Sequence, residues 1–310
     1  MSDPVFLVAA RRSGTTLFRL MLNGHPKVVW QRGWERVADA IDAFSGGSSE
    51  PEKIALEDFS DFSVTSQSEL KEELGRKIEA VKSDQNKTVF GATVHVGFKA
   101  MTKVWPSAKF VHLIRDPRDI AISHVKLGWS GHYYFGADPW TEAERDWETL
   151  SPSLSDDQHI NLKYEELVAH PEAELKRVCE FLNLDYTDKL FDYVNTSSYS
   201  HPKKELAYRW KQQLDDEQVR LVESRIHPMM EARGYDPTDS PKRYSGFQVA
   251  KFKVRNTWTM RMKRIKEHGL SHVVMDKLAR DLNLKFLKDR MAKAEIEKRK
   301  QHLSSLEKNY

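Results

Sequence analysis

Two short runs of apolar and β-branched positions, residues 4–9 and 109–114, each lead straight into a loop and then into a stretch of helical periodicity. The first run is followed by Ala10-Arg11-Arg12-Ser13-Gly14, after which Leu17, Leu20, Met21 and Leu22 share a helical face. Gly24-His25-Pro26 marks the helix stop, with Gly24 expected in a left-handed cap position and Pro26 unable to continue the turn. The second run is introduced by Trp105-Pro106-Ser107 and followed by the charged turn Arg115-Asp116-Pro117-Arg118-Asp119, with a helix from Ile120 onward. Further helices are predicted over 69–82, just before the second run, over 164–184 and over 214–233, whereas 45–68 reads as a surface excursion. Apolar strands that each run into a loop and a helix predict a three-layer α/β fold. Its central sheet is parallel and its site lies at the carboxyl ends of the strands.

Charge adds a division that periodicity does not show. Residues 241–310 hold 19 Lys and Arg against 7 Asp and Glu, while 1–240 hold 30 against 39, so a basic tail follows an acidic body. The expected organisation is therefore a domain over 1–240 and a basic helical C-terminal extension over 241–310. Within the extension, Val254, Trp258, Met262 and Ile265 recur among lysines and arginines, as in a basic amphipathic helix over 247–265, with a second helix expected over 271–300 and frayed residues over 298–310. Packing on the acidic body or in a homodimer is the favoured reading of that helix, and peripheral contact with an anionic membrane is the alternative.

The 310-residue chain shows no window approaching eighteen consecutive apolar residues and no secretory leader layout, so a soluble, cytoplasmic protein is expected. Its one cysteine, Cys179, reads as a buried small hydrophobe. The twelve histidines lack zinc-site spacing, so no metal is expected, and His112 and His124 read as structural; no nucleic-acid partner is expected either.

The chemistry concentrates in the two loops. Arg12-Ser13-Gly14-Thr15-Thr16 stands between strand and helix, where backbone N–H groups and a helix N-terminus cradle an anion. The triphosphatase pattern Gly-x-x-x-x-Gly-Lys-Ser/Thr is absent because no lysine follows the glycine. Arg115 at the end of the second run and Ser123 in the following helix can reach one phosphate together, the arginine through its planar fork.

In order, spacing and context these segments resemble the family of sulfotransferases that use 3′-phosphoadenosine 5′-phosphosulfate (PAPS), in a style similar to the bacterial and tyrosylprotein branches. The resemblance covers roughly residues 3–237 and implies that the three-layer α/β fold is P-loop-like. It implies that residues 12–16 bind the 5′-phosphosulfate and that Arg115 and Ser123 bind the 3′-phosphate. It also implies that Tyr164 lies near the nucleotide and that the basic residues around Trp210, Arg209 among them, close over it.

The implied activity is sulfuryl transfer to a hydroxyl or amine, with Arg12 stabilising the leaving phosphate. For the base, the resemblance offers Glu35, favoured, or His95. The family's Lys-Thr-Pro string is replaced by Ala92-Thr93-Val94, with Lys99 or Lys103 as stand-ins. The paired-acid segment of the tyrosylprotein branch is altered to Trp34-Glu35-Arg36, which counts against a peptide acceptor. A small-molecule, carbohydrate or lipid-linked carbohydrate acceptor is expected. Loops 31–68 and 126–150, with Trp129, Tyr133, Tyr134, Phe135 and Trp140, would supply a stacking surface for it. Two other readings stand beside this one: a P-loop kinase or hydrolase with Asp116 as metal ligand, and a nucleotide-binding scaffold without catalysis.

Overall fold

The structure, a computed structural model, describes residues 3–31, 33–45, 66–238 and 241–271, together with Met275 and Leu278. The chain divides into two compact units, Met1–Lys126 with Tyr133–Tyr244, and Leu127–His132 with Ser245–Tyr310.

The first unit is built on five parallel strands: β1 (Val5–Val8), β2 (Val28–Gln31), β3 (Val89–Val94), β4 (Lys109–Ile114) and β5 (His159–Lys163), in the order β2-β3-β1-β4-β5. β1 is central. It pairs Val8 with Val94 of β3 on one side and with His112 of β4 on the other.

Alternate residues of each strand face opposite layers, as the two-residue repeat of a strand requires. On one face Phe6, Val8, Phe110 and Ile114 pack against helices α2 (Glu35–Ser45), α3 (Gln67–Asp84), α4 (Phe98–Val104), α6 (Asp138–Leu150) and α10 (Asp216–Ala232). On the other, Val5, Leu7, Val111 and Leu113 pack against α1 (Thr15–Gly24), α8 (Pro171–Phe181) and the 3-10 turn Asp188–Asn195. The remaining helices of this unit are α5 (Pro117–Leu127), α7 (Tyr164–Ala169) and α9 (Trp210–Gln213). Because β1 lies between β3 and β4, the loops after β1 and β4 diverge to opposite faces and leave the crevice where open α/β sheets bind ligands.

Several elements differ from the sequence reading. The stretch 164–184 is two helices rather than one, since His170-Pro171 breaks it and Pro171 opens α8, where its missing N–H costs nothing. The supposed loop 126–150 contains α6, and Trp140 is fully buried in the core while Tyr134 is buried as well, so neither offers a stacking surface; Trp129 remains half-exposed. The supposed loop 31–68 contains α2, and residues 46–65 lie outside the described residues. Gly24 is the last residue of α1 rather than a left-handed cap, and its glycine is required because a Cβ would collide with the backbone carbonyl of Lys189.

In the second unit, α11 is Gly246–His268, capped by Ser245, whose hydroxyl accepts from the Gln248 N–H. Of the expected helix over 271–300 only Ser271, Met275 and Leu278 are described, all three helical, and the frayed end falls outside the described residues. Among the described residues no helix is long and apolar enough to cross a membrane.

Candidate active site

The loop from β1 to α1 is held in a conformation few residues adopt. Gly14 sits at φ +93° as the N-cap of α1, and Arg12 at φ +76° is a left-handed non-glycine residue, a position that costs energy unless its surroundings impose it. A Cβ on Gly14 would strike the Tyr164 ring, so glycine is needed both for the backbone and for the ring beneath it. α1 has no side-chain cap and no acidic residue in its first turn, so its leading N–H groups face the crevice with no acidic side chain capping them among the described residues. The Ser13 hydroxyl is fully buried and finds no hydrogen-bond partner among the described residues.

The second loop closes against the first. Arg115, at the end of β4, donates through Nη1 to the Arg12 carbonyl at 3.2 Å and through Nη2 to Asp119 Oδ2 at 3.2 Å and to the Leu206 carbonyl at 3.5 Å. Its guanidinium lies 4.2 Å over the Tyr164 ring, and its Nε is buried without an acceptor among the described residues. Ser123, in α5, accepts from Arg12 Nε at 2.9 Å. The two candidate anion grips, some hundred residues apart in sequence, thus form one continuous surface of donors.

Nearby, the two candidate bases face each other. His95 Nδ1 lies 2.8 Å from the Ala9 carbonyl. A carbonyl can only accept, so Nδ1 carries the proton and Nε2 presents its lone pair. That lone pair faces Glu35 Oε1 at 4.0 Å, and Glu35 is held by Arg11 Nη2 at 3.0 Å. Burial lowers the His95 pKa, so the ring is neutral near neutral pH. His124, beside Ser123, is also buried, and chiefly for that reason its pKa falls to about 4.

The remaining sequence candidates are placed as follows. Thr15 and Thr16 are the first two residues of α1, Thr15 half-buried and Thr16 exposed, and Arg209 is exposed at the start of α9. Trp210 is buried: Arg118 lies 3.7 Å over its ring and its Nε1 donates to Asp116 Oδ2 at 2.9 Å. Asp116 is wholly buried, and both of its oxygens accept from Arg118. The charged turn is therefore an interior ion cluster, and Asp116 has no oxygen left to offer a metal. Lys103 pairs with Asp42 at 2.6 Å and Lys99 is exposed on α4, so both behave as surface helix charges. No group of three or more His, Cys, Asp or Glu that could hold a metal ion occurs among the described residues.

The model of the sulfotransferase family matches residues 4–188, more than half of the chain and both of the loops just described. The chain belongs to the sulfotransferase family. Sulfotransferase relatives include protein-tyrosine sulfotransferase A of Caenorhabditis elegans, 23% identical over 77% of this chain and 69% of the relative. Protein-tyrosine sulfotransferase 1 of Danio rerio is 28% identical over 77% and 74%. Among solved structures, the sulfotransferase domain of the curacin biosynthetic pathway matches with a TM-score of 0.53 at 15% identity, over 76% of this chain and 99% of that one. The sulfotransferase domain of the Synechococcus PCC 7002 olefin synthase matches with 0.51 at 19%, over 76% and 97%. The chain is thus a sulfotransferase enzyme.

Three participants were not singled out in the sequence of this sulfotransferase. Arg11 and Asp119 were present in the quoted strings, but only the fold shows that Arg11 grips Glu35 and that Asp119 joins Arg115 to the Trp210 backbone N–H at 2.7 Å. The Ala9 carbonyl, which sets the His95 tautomer, leaves no mark in a sequence.

Proposed function

We propose that the enzyme binds PAPS across the crevice between β1 and β4. Ser13, Gly14, Thr15 and Thr16 hold the 5′ end, and Arg115 and Ser123 hold the 3′-phosphate. Tyr164 forms the floor between them, and Arg209 stands at the rim. The observation that carries this reading is the junction of the two loops, in which Arg12 bonds Ser123 and Arg115 bonds the Arg12 carbonyl. Ser13 Oγ and Arg115 Nε remain there as buried polar atoms without partners among the described residues, and buried groups of that kind are costly unless something polar meets them.

PAPS brings the activated sulfuryl group and leaves as the bisphosphate. Arg12, with the loop amides, offsets the negative charge that grows on the leaving phosphate oxygen, a charge the uncapped end of α1 also favours. The acceptor is a hydroxyl whose proton goes to Glu35. Arg11 fixes the carboxylate, and the Nε2 lone pair of His95 stands 4.0 Å from it, a neutral neighbour for the acid once it carries the proton. Small alcohols, phenols and carbohydrates are the acceptors favoured here. The tyrosyl peptides that the relatives' names suggest form the contrasting class, since Trp34-Glu35-Arg36 lacks a second acidic residue.

The test combines binding of labelled PAPS and ATP with transfer to a panel of alcohols, phenols, carbohydrates and tyrosyl peptides. PAPS binding with transfer to at least one hydroxyl acceptor is the expected result. Binding of ATP in preference to PAPS would overturn the reading of the crevice, and tight PAPS binding with no turnover on any acceptor would favour a silent scaffold. Arg12→Ala and Arg115→Ala should each weaken affinity for 3′-phosphoadenosine 5′-phosphate by about 1.5–3 kcal/mol, the range for a lost charge-assisted contact. Calorimetry would show it.

A further inference from the structure

The face of α11 on which it packs within its own unit is clear. Asn256 Oδ1 accepts from the Gly131 N–H at 2.6 Å and from the Ser130 hydroxyl at 3.1 Å, and Phe252 stacks on His132 with ring centroids 4.6 Å apart. At 3.6 residues per turn, the opposite side carries Phe247, Val254, Trp258 and Met262 within an arc of about 80°. These residues are 71%, 70%, 63% and 45% exposed, an unusual amount of apolar surface to leave on one helix.

The charges around the stripe identify its partner. α11 holds seven Lys and Arg and a single acidic residue, Glu267, which lies away from the stripe and 3.9 Å from Lys263. Lys251, Arg255 and Arg261 project on the same side as the aromatic residues, and Lys251 lies 4.5 Å over the Phe247 ring. Pairing this face with its copy would bring like charges together, which disfavours a symmetric helix pair. A nucleic acid would meet the cations but leave the apolar stripe unused. An anionic bilayer meets both requirements: phenylalanine, tryptophan and methionine enter the interface while lysines and arginines reach the headgroups over apolar stems.

We infer that α11 docks on an anionic lipid surface through the Phe247–Val254–Trp258–Met262 stripe, attaching the enzyme peripherally. Trp258 and Phe247 act as the anchors, and Lys251, Arg255 and Arg261 supply the electrostatic attraction. Docking is independent of the reading of the active site, which lies in the other unit.

The experiment is flotation of the full chain with phosphatidylcholine vesicles, with and without phosphatidylserine. The protein should float with the serine-containing vesicles only, and NaCl at about 1 M, where screening shortens to about 3 Å, should release it. The double variant Phe247→Ser with Trp258→Ser should lose vesicle binding by about tenfold or more while still binding 3′-phosphoadenosine 5′-phosphate, which reports that the other unit is folded. Failure of the unaltered chain to float with anionic vesicles overturns the inference. So does undiminished flotation of the double variant. Sedimentation that shows a dimer dispersed by the same two substitutions, without vesicle binding, assigns the stripe to a second copy of the chain instead.

Discussion

Glu35→Gln should lower kcat by about 10²- to 10⁴-fold on whichever acceptor the enzyme sulfates, with little change in affinity for 3′-phosphoadenosine 5′-phosphate. Glutamine keeps the size of the side chain and an oxygen for Arg11 to bond at the site of the present 3.0 Å contact, but it cannot take a proton. Loss of kcat with intact nucleotide binding would therefore separate proton transfer from assembly of the pocket. His95→Asn should show a smaller loss, because it removes the lone pair facing Glu35 at 4.0 Å and leaves the carboxylate. A Glu35→Gln enzyme that retains activity within about twofold, combined with a His95→Asn enzyme that does not, would move the base to the imidazole. Steady-state rates on an acceptor from the panel, together with calorimetric nucleotide binding, decide between the two.

Arg118→Ala should cost about 3–5 kcal/mol of folding stability, among the largest single effects available in the chain, because it strands buried carboxylates without their counter-ion. Arg118 is buried and spans two elements. It donates to both oxygens of Asp116 and, at 2.8 Å, to Glu223 of α10, and it also covers the Trp210 ring. Thermal unfolding should fall by on the order of 10 °C for a domain of this size. Arg115→Ala, three residues earlier in the same turn, serves as the contrast: its main loss should be nucleotide affinity. If Arg118→Ala melts with the parent chain, the interior ion cluster is not what fastens α10 to the sheet.

How much of this the sequence revealed follows from where information is local. β1 with its loop and α1, and β4 with its turn and α5, were legible because buried parallel strands read as unbroken apolar runs and are punctuated by glycine or proline. β2 offers only Val28-Val29-Trp30 between Lys27 and Gln31, β3 is interrupted by Gly91, over which Trp30 packs, and β5 alternates polar positions at the sheet edge, so none of the three carries such a run. α6 has a helical repeat in Trp140, Ala143, Trp147 and Leu150, but Trp140 reads as part of a stacking surface because exposure is not written in residue type.

At the site, the residue types that meet anions were readable from their order along the chain. The contacts that aim them were not, since Ala9 to His95 and Arg11 to Glu35 join segments far apart in sequence.

The pairing of Val8 with His112 turns β4 into a ruler. β4 runs two residues past that rung to Ile114, and this overhang sets Arg115 beside the Arg12 carbonyl. Deleting one residue from β4 would retract Arg115 by about 3.3 Å and exchange the partners of Phe110 and Val111 between the two helical layers. The connection between α1 and β4, by contrast, could grow by whole elements without altering that offset. Length is thus free to vary between the two halves of the crevice, while inside the strands that carry them not one residue is spare.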